Sequence, residues 1–235
     1  MSTAISHLTD FCFGRLKQQT LLRIFIPLIL LAYFGSLTFA IWMFPGPFNW
    51  RTKSMSNLLY PRNNPQFHAL GSLGVAVAGL LMIPFAGYIG RRLRVISPVL
   101  AEIGALVFGA GAISLILGAL IVLQPFHEMF ARGAGICCGM GILAFYWCAL
   151  RGLSVPPNER HTRLRPFLAW SPIVPPALLV VVLRLLAGVH FKWSNPVYRA
   201  IENRSLWHLG FWEWTGSTAG FLFLLCAALF LPKDD

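Results

Sequence analysis

Six apolar runs, each near the length needed to cross a bilayer, constrain this chain more than any other feature. They cover roughly residues 21–44, 67–89, 98–123, 130–150, 167–189 and 209–231. About 20 apolar residues in a helix span a hydrocarbon core about 30 Å thick. The runs therefore predict an all-α polytopic integral membrane protein, a six-transmembrane-helix bundle forming a single domain over residues 1–235. The first run is too long for a signal-peptide core and no convincing small-residue cleavage site follows it, which predicts an uncleaved first span. Pro45-Gly46-Pro47, Pro61, Pro65, Pro125, Pro156-Pro157 and Asn195-Pro196 punctuate the connections as loops.

Composition excludes an ordinary soluble domain, with a mean hydropathy of +0.67 and only 11% charged residues. A net charge of +11 would suggest nucleic acid in a soluble protein. In a membrane protein, cations gather in loops beside anionic headgroups, so no nucleic-acid partner is expected. Lys and Arg divide eleven against seven between the two sets of loops, with Arg184 left inside the fifth run. The compact Arg91-Arg92-x-Arg94 turn and the 151–165 loop carry most of the excess. The positive-inside rule then places both termini in the cytoplasm, in a multi-pass cell-membrane protein such as one of the bacterial inner membrane. The five cysteines show no disulfide or zinc spacing, and four lie within apolar runs as small hydrophobes.

Runs two to four are rich in small residues: Gly71, Gly74, Ala78 and Gly79; Ala101, Ala105 and Gly109; Gly135 and Gly139. Small residues let helix backbones approach closely where lipid offers no hydrophobic force between helices, so these three spans are expected to form a close-packed interior. Pro172, Pro175 and Pro176 are expected to kink the fifth span, because each removes a backbone donor.

The polar groups gather on the outer side. His68, His127, His190 and His208 all fall at span ends there, and only His7 and His161 map to the other side. Arg184 lies six residues before His190, roughly 9 Å deeper at helical rise, and Glu213 lies at a similar depth after His208. Charge within hydrocarbon normally faces a partner or a wet cavity, which predicts an Arg184–Glu213 pair between spans five and six. Glu102 stands within reach of the Arg91–Arg94 turn. His68, His127, His208 and Glu213 have the residue types of a zinc site, but no local spacing supports one; no metal and no cofactor is expected. Most tryptophans fall at the outer level, as an aromatic belt would.

The longest polar interruption before the midpoint, residues 45–68, holds cations, hydroxyls, amides and a histidine but no carboxylate. It reads as a lid over the outer mouth, with Glu213 or Glu128 as the carboxylates available across it. Within it, Ser56-Asn57-Leu58 followed by Asn64-Pro65 and a glycine-rich second span, together with Pro125-x-His127-x-x-x-Ala131, resembles a family of bacterial and archaeal six-span membrane proteins of unknown function. That family is distantly similar to DRAM-type and FGF-receptor-activating membrane proteins. The resemblance implies the six-span architecture and a candidate site in the first outer loop. Asn57 stands where the family usually has Asp or Glu; a catalytic acid would be lost there, whereas a loop-ordering acceptor would be nearly preserved.

Three functions fit these residues. One is binding of a lipid or other amphipathic ligand at the mouth, with Arg51, Lys53, Ser56, Asn57, Arg62, Arg132 and Arg184 as ligand-binding candidates. Another is a lipid-directed hydrolase or transferase, with His68, His127, His208 and Glu213 as catalytic candidates and Ser54 or Ser56 as nucleophile. The third is an accessory subunit of a larger membrane complex. Expected partners are membrane lipids, with a membrane-protein partner or a second copy of the chain compatible with the composition.

Overall fold

The computed structural model describes residues 10–11, 13–153, 164–170, 174–191 and 209–231, without the side chains at 170, 176, 184–191 and 209. Among these residues all regular structure is helical. In chain order the elements are α1 (Gln18–Trp42), α2 (Ser56–Leu59), α3 (His68–Leu93), α4 (Pro98–Leu120), α5 (Phe126–Gly152), α6 (Leu164–Trp170), α7 (Val174–Phe191) and α8 (Leu209–Phe230). Five of them, α1, α3, α4, α5 and α8, are long and apolar enough to cross a membrane. The chain is an α-helical polytopic membrane protein.

The long helices form a ring. Each packs beside its neighbour in sequence, α1 with α3, α3 with α4, α4 with α5, α5 with α7 and α7 with α8, and α8 closes back onto α1. Small residues permit this, as the interior of runs two to four suggests. A Cβ on Gly74 of α3 would strike Ser36 and the Ala32 carbonyl of α1, and one on Gly141 of α5 would lie 2.7 Å from the Phe108 nitrogen of α4. Gly139, however, faces Val182 of α7 and lines a central space, so the Gly135/Gly139 pair belongs to a wall rather than a solid interior.

The arginine turn gathers both ends of the described chain. Arg91 donates from Nη2 to the Gly14 carbonyl at 2.7 Å, and Gln18 at the start of α1 donates to the Ala228 carbonyl of α8 at 2.7 Å. Arg92, 8% exposed, lies 4.2 Å over the Tyr88 ring, and Arg94 pairs with Glu102. Gly14, at φ 63°, sits against the backbone of Pro84–Tyr88, so closely that a side chain there would collide with it. At this arginine end Phe145 stacks on Phe223 at 6.3 Å, and Phe167 meets Phe223 edge-on at 5.7 Å. All three rings are fully buried and seal the ring below.

Two helix starts differ from expectation. α5 begins at Phe126 rather than 130, with Pro125 before it and Glu128 in its first turn, where negative charge suits the exposed amides. Pro175 and Pro176 lie in the first turn of α7, where a missing N–H costs nothing, so they open that helix instead of kinking its interior. Pro172 lies outside the described residues. In α1, Pro27 follows a π-helical stretch, Leu21–Phe25, consistent with its inability to donate to the carbonyl four residues back.

Candidate functional site

Residues 53–64 fold down into the end of the ring opposite the arginine turn. Met55, Leu58 and Leu59 are buried, and the loop's polar groups turn on one another. Asn63 donates from Nδ2 to Asn57 Oδ1 at 2.7 Å, and fully buried Asn64 donates from Nδ2 to the Leu58 carbonyl at 3.2 Å. Asn57 thus serves as a loop-ordering acceptor. The lid is fastened to α8 at two points. The Lys53 carbonyl packs against Gly210 so closely that no side chain would fit there. One turn on, the Glu213 carboxylate accepts the Met55 N–H at 2.7 Å. A carboxylate taking backbone amides makes the stronger, charge-assisted kind of hydrogen bond.

Beneath the lid lies a cavity of about 720 Å³, within the ~300–1,000 Å³ range of small-molecule sites. Its wall changes character with depth. Ser54, Ser56, Asn57, Arg62, Asn63, Glu128, Arg132 and Glu213 line the lid end, and Val75, Met82, Phe108, Ile142, Leu178 and Val181 line the rest. Along α5 the lining runs from His127 to Ile142, roughly 22 Å at helical rise. Tyr33 of α1 reaches the wall midway, with its hydroxyl 2.8 Å from Ser217 Oγ of α8 and 3.1 Å from Met55 Sδ. Arg132 donates to Glu128 at 3.1 Å across one helical turn.

His127 is 3% exposed and belongs to this wall. Its Nδ1 lies 2.7 Å from the Gly118 carbonyl at the end of α4. A carbonyl only accepts, so Nδ1 carries the hydrogen of that bond. His127 Nε2 and Trp212 Nε1, both on wall residues, are buried and have no hydrogen-bond partner among the described residues.

The remaining predicted residues divide. His68 is not part of the cavity wall; its Nδ1 lies 3.2 Å from both the Asn64 and the Pro65 carbonyls. It closes its own turn, so of the histidine–glutamate set only His127 and Glu213 share the cavity among the described residues. Arg51 lies over Trp50, and Lys53 donates to the Pro47 carbonyl at 3.0 Å and lies over Phe44, both outside the cavity wall. His208 and the side chains of Arg184 and His190 lie outside the described residues, and with them the Arg184–Glu213 pair. Among the described residues no three His, Cys, Asp or Glu side chains group as a metal site would. Tyr33, Met55 and Ser217 escape the sequence reading, although a tyrosine and a serine deep in apolar runs are a signal of polar contact inside the bundle. Compared with family models, curated proteins and solved structures, the chain matches none.

Proposed function

We propose that this chain binds a lipid or closely similar amphiphile, with the polar head under the lid and the acyl chain in the cavity below. The observation that carries this reading is the gradient of the cavity wall, from amides, hydroxyls and charges at the lid to mainly aliphatic and aromatic groups below, where the Tyr33 and Ser217 hydroxyls bond to one another. A water-soluble ligand would leave the apolar depth unfilled, and a pure hydrocarbon would bury the polar rim without partners. The hydrolase alternative has less support: among the described residues no serine hydroxyl is hydrogen-bonded to His127 or to a carboxylate.

The reading includes six spans. Parity supports this: α1 starts and α8 ends at the arginine end, and α1, α3, α4, α5 and α8 supply five crossings. One more is needed, and α7, packed between α5 and α8, is in position to make it. With the positive-inside rule, the lid faces the extracytoplasmic side and both termini the cytoplasm.

Gly220 gives a direct test. It lines the cavity, and the nearest group to a Cβ there is Ile142 Cδ1 at 3.9 Å, so Gly220→Leu fills space without a backbone clash. Purified from the same membrane, the wild-type chain should retain extractable lipid identified by mass spectrometry, and Gly220→Leu should retain several-fold less. Equal retention by both would sink the cavity as the binding site.

A further inference from the structure

The ring of helices fences the cavity, and each of its seams closes within the depth that the cavity spans. A Cβ on Gly79 of α3 would lie 2.8 Å from Ile116 of α4, one on Gly111 of α4 2.5 Å from Cys138 of α5, and one on Gly139 of α5 2.6 Å from Val182 of α7. The α7–α8 seam closes where a Cβ on Gly216 would meet Val181 at 3.0 Å. Ser217 closes the α8–α1 seam against Tyr33 at 2.8 Å, and Ser36 leaves no room for a side chain at Gly74 in the α1–α3 seam. At these points no hydrocarbon chain passes between neighbouring helices. Over the rim it would lie on Arg62, Gln124, Glu128 and Arg132, and hydrocarbon is a costly neighbour for charge.

A ligand chain must therefore fit inside, and length and volume agree on how many can. An acyl chain fills one leaflet, about half of the ~30 Å hydrocarbon core. The lining along α5, roughly 22 Å deep, holds one such chain end-on with about 7 Å left for a head. With each methylene counted as a water-sized group of about 30 Å³, a chain of about sixteen carbons occupies roughly 480 Å³. That leaves about 240 Å³ of the 720 Å³ for the head. A second chain would raise the hydrocarbon alone to roughly 960 Å³, more than the whole cavity holds. Resting on the amphiphile reading, we propose that the ligand carries a single acyl chain, as a lysophospholipid does. The site then discriminates against the two-chain lipids of the surrounding bilayer by size, whatever their heads.

The test offers one head on one chain or on two. The full chain is held in nanodiscs free of detergent, since a detergent is itself a single-chain amphiphile. The nanodiscs contain equal amounts of palmitoyl-lysophosphatidylcholine and palmitoyl-oleoyl-phosphatidylcholine, and native mass spectrometry reads what stays bound on release. One lysolipid per chain is expected, about tenfold more abundant than the two-chain adduct, the scale on which overpacking is felt in a filled interior. Gly220→Leu and Leu115→Trp, which fill the cavity from α8 and α4, should each lose that adduct. A two-chain adduct as abundant as the lysolipid, and lost from the same variants, overturns the single-chain assignment and leaves the amphiphile reading standing. A second lysolipid lost with the first overturns it too, because two chains would then fit. Adducts that neither variant reduces overturn the cavity reading itself. The ratio is read on the unmodified chain, and the variants lie on different helices, so misfolding of one leaves the other to locate the adduct.

Discussion

Glu213 is the residue on which the lid hangs, and replacing it should loosen that segment and little else. Its carboxylate takes the Met55 N–H at 2.7 Å, and no side chain of the described residues is hydrogen-bonded to it. Hydrogen bonds to a charged group contribute about 1.5–3 kcal/mol and neutral ones about 0.5–1.5. Glu213→Gln keeps an acceptor of the same shape but removes the charge, a loss of roughly 1.4 kcal/mol, or about tenfold in the opening equilibrium of the lid. Glu213→Ala removes the acceptor and strands the Met55 amide, roughly 2 kcal/mol, or about thirtyfold. Hydrogen–deuterium exchange of the chain in nanodiscs reads this directly, because local opening sets amide exchange. Peptides covering Met55 should exchange about tenfold faster in the glutamine variant and about thirtyfold faster in the alanine variant. Peptides from α4 should not change, since α4 makes no contact with Glu213 through hydrogen bonds. Unchanged exchange at Met55 in Glu213→Ala would refute the idea that this carboxylate fastens the lid. A uniform rise across all helices would show that its role is global instead.

Three other substitutions probe the packing and the surface. Gly141→Ala drives a methyl group to 2.7 Å from the Phe108 nitrogen; it should cost about 1–3 kcal/mol as overpacking, seen as a lower unfolding midpoint in detergent. Gly133→Ala, whose nearest neighbour is Ser114 Oγ at 3.5 Å, should leave that midpoint unchanged and serves as the control. Glu102→Gln breaks the ion pair with Arg94, but both side chains are more than half exposed. Such pairs contribute about 0–1 kcal/mol, so no shift in midpoint beyond a degree or two is expected.

The helices are legible in the sequence because apolar length is a local property, and small residues at four-residue spacing announce close contact without naming the partner. The cavity is legible only in part. Glu213 stands out as a costly charge in an apolar run, and Arg184, at matching depth, is its natural side-chain partner on paper. The partner among the described residues is a backbone amide, which any residue supplies, so no residue type marks it. Tyr33 and Ser217 meet across 184 positions of sequence, and nothing in local spacing joins them. His68 and His127 look equivalent, each at a helix start after a proline. They differ in which carbonyl lies beside Nδ1: for His68 those of its own turn, for His127 the far end of α4. That difference arises from ring closure, not from pattern.

One stripe of α8 organises the site more than the lid does. Gly210 admits the Lys53 carbonyl, Glu213 holds the Met55 amide, Ser217 meets Tyr33, and Gly220 leaves the cavity its width. These positions fall at intervals of three, four and three residues, the spacing that keeps side chains on one helix face. Continuing it reaches Leu224 and Ala227, both fully buried. Along a single face the helix therefore passes from lid contact to polar wall to open width to sealed floor. A rotation by one residue, about 100°, would carry the carboxylate off the lid and swing Gly220 out of the cavity wall at the same time. Lid closure and cavity shape are thus set by one variable, the rotational register of α8, which the wholly buried contacts of Phe223 with Phe145 and Phe167 hold at its other end.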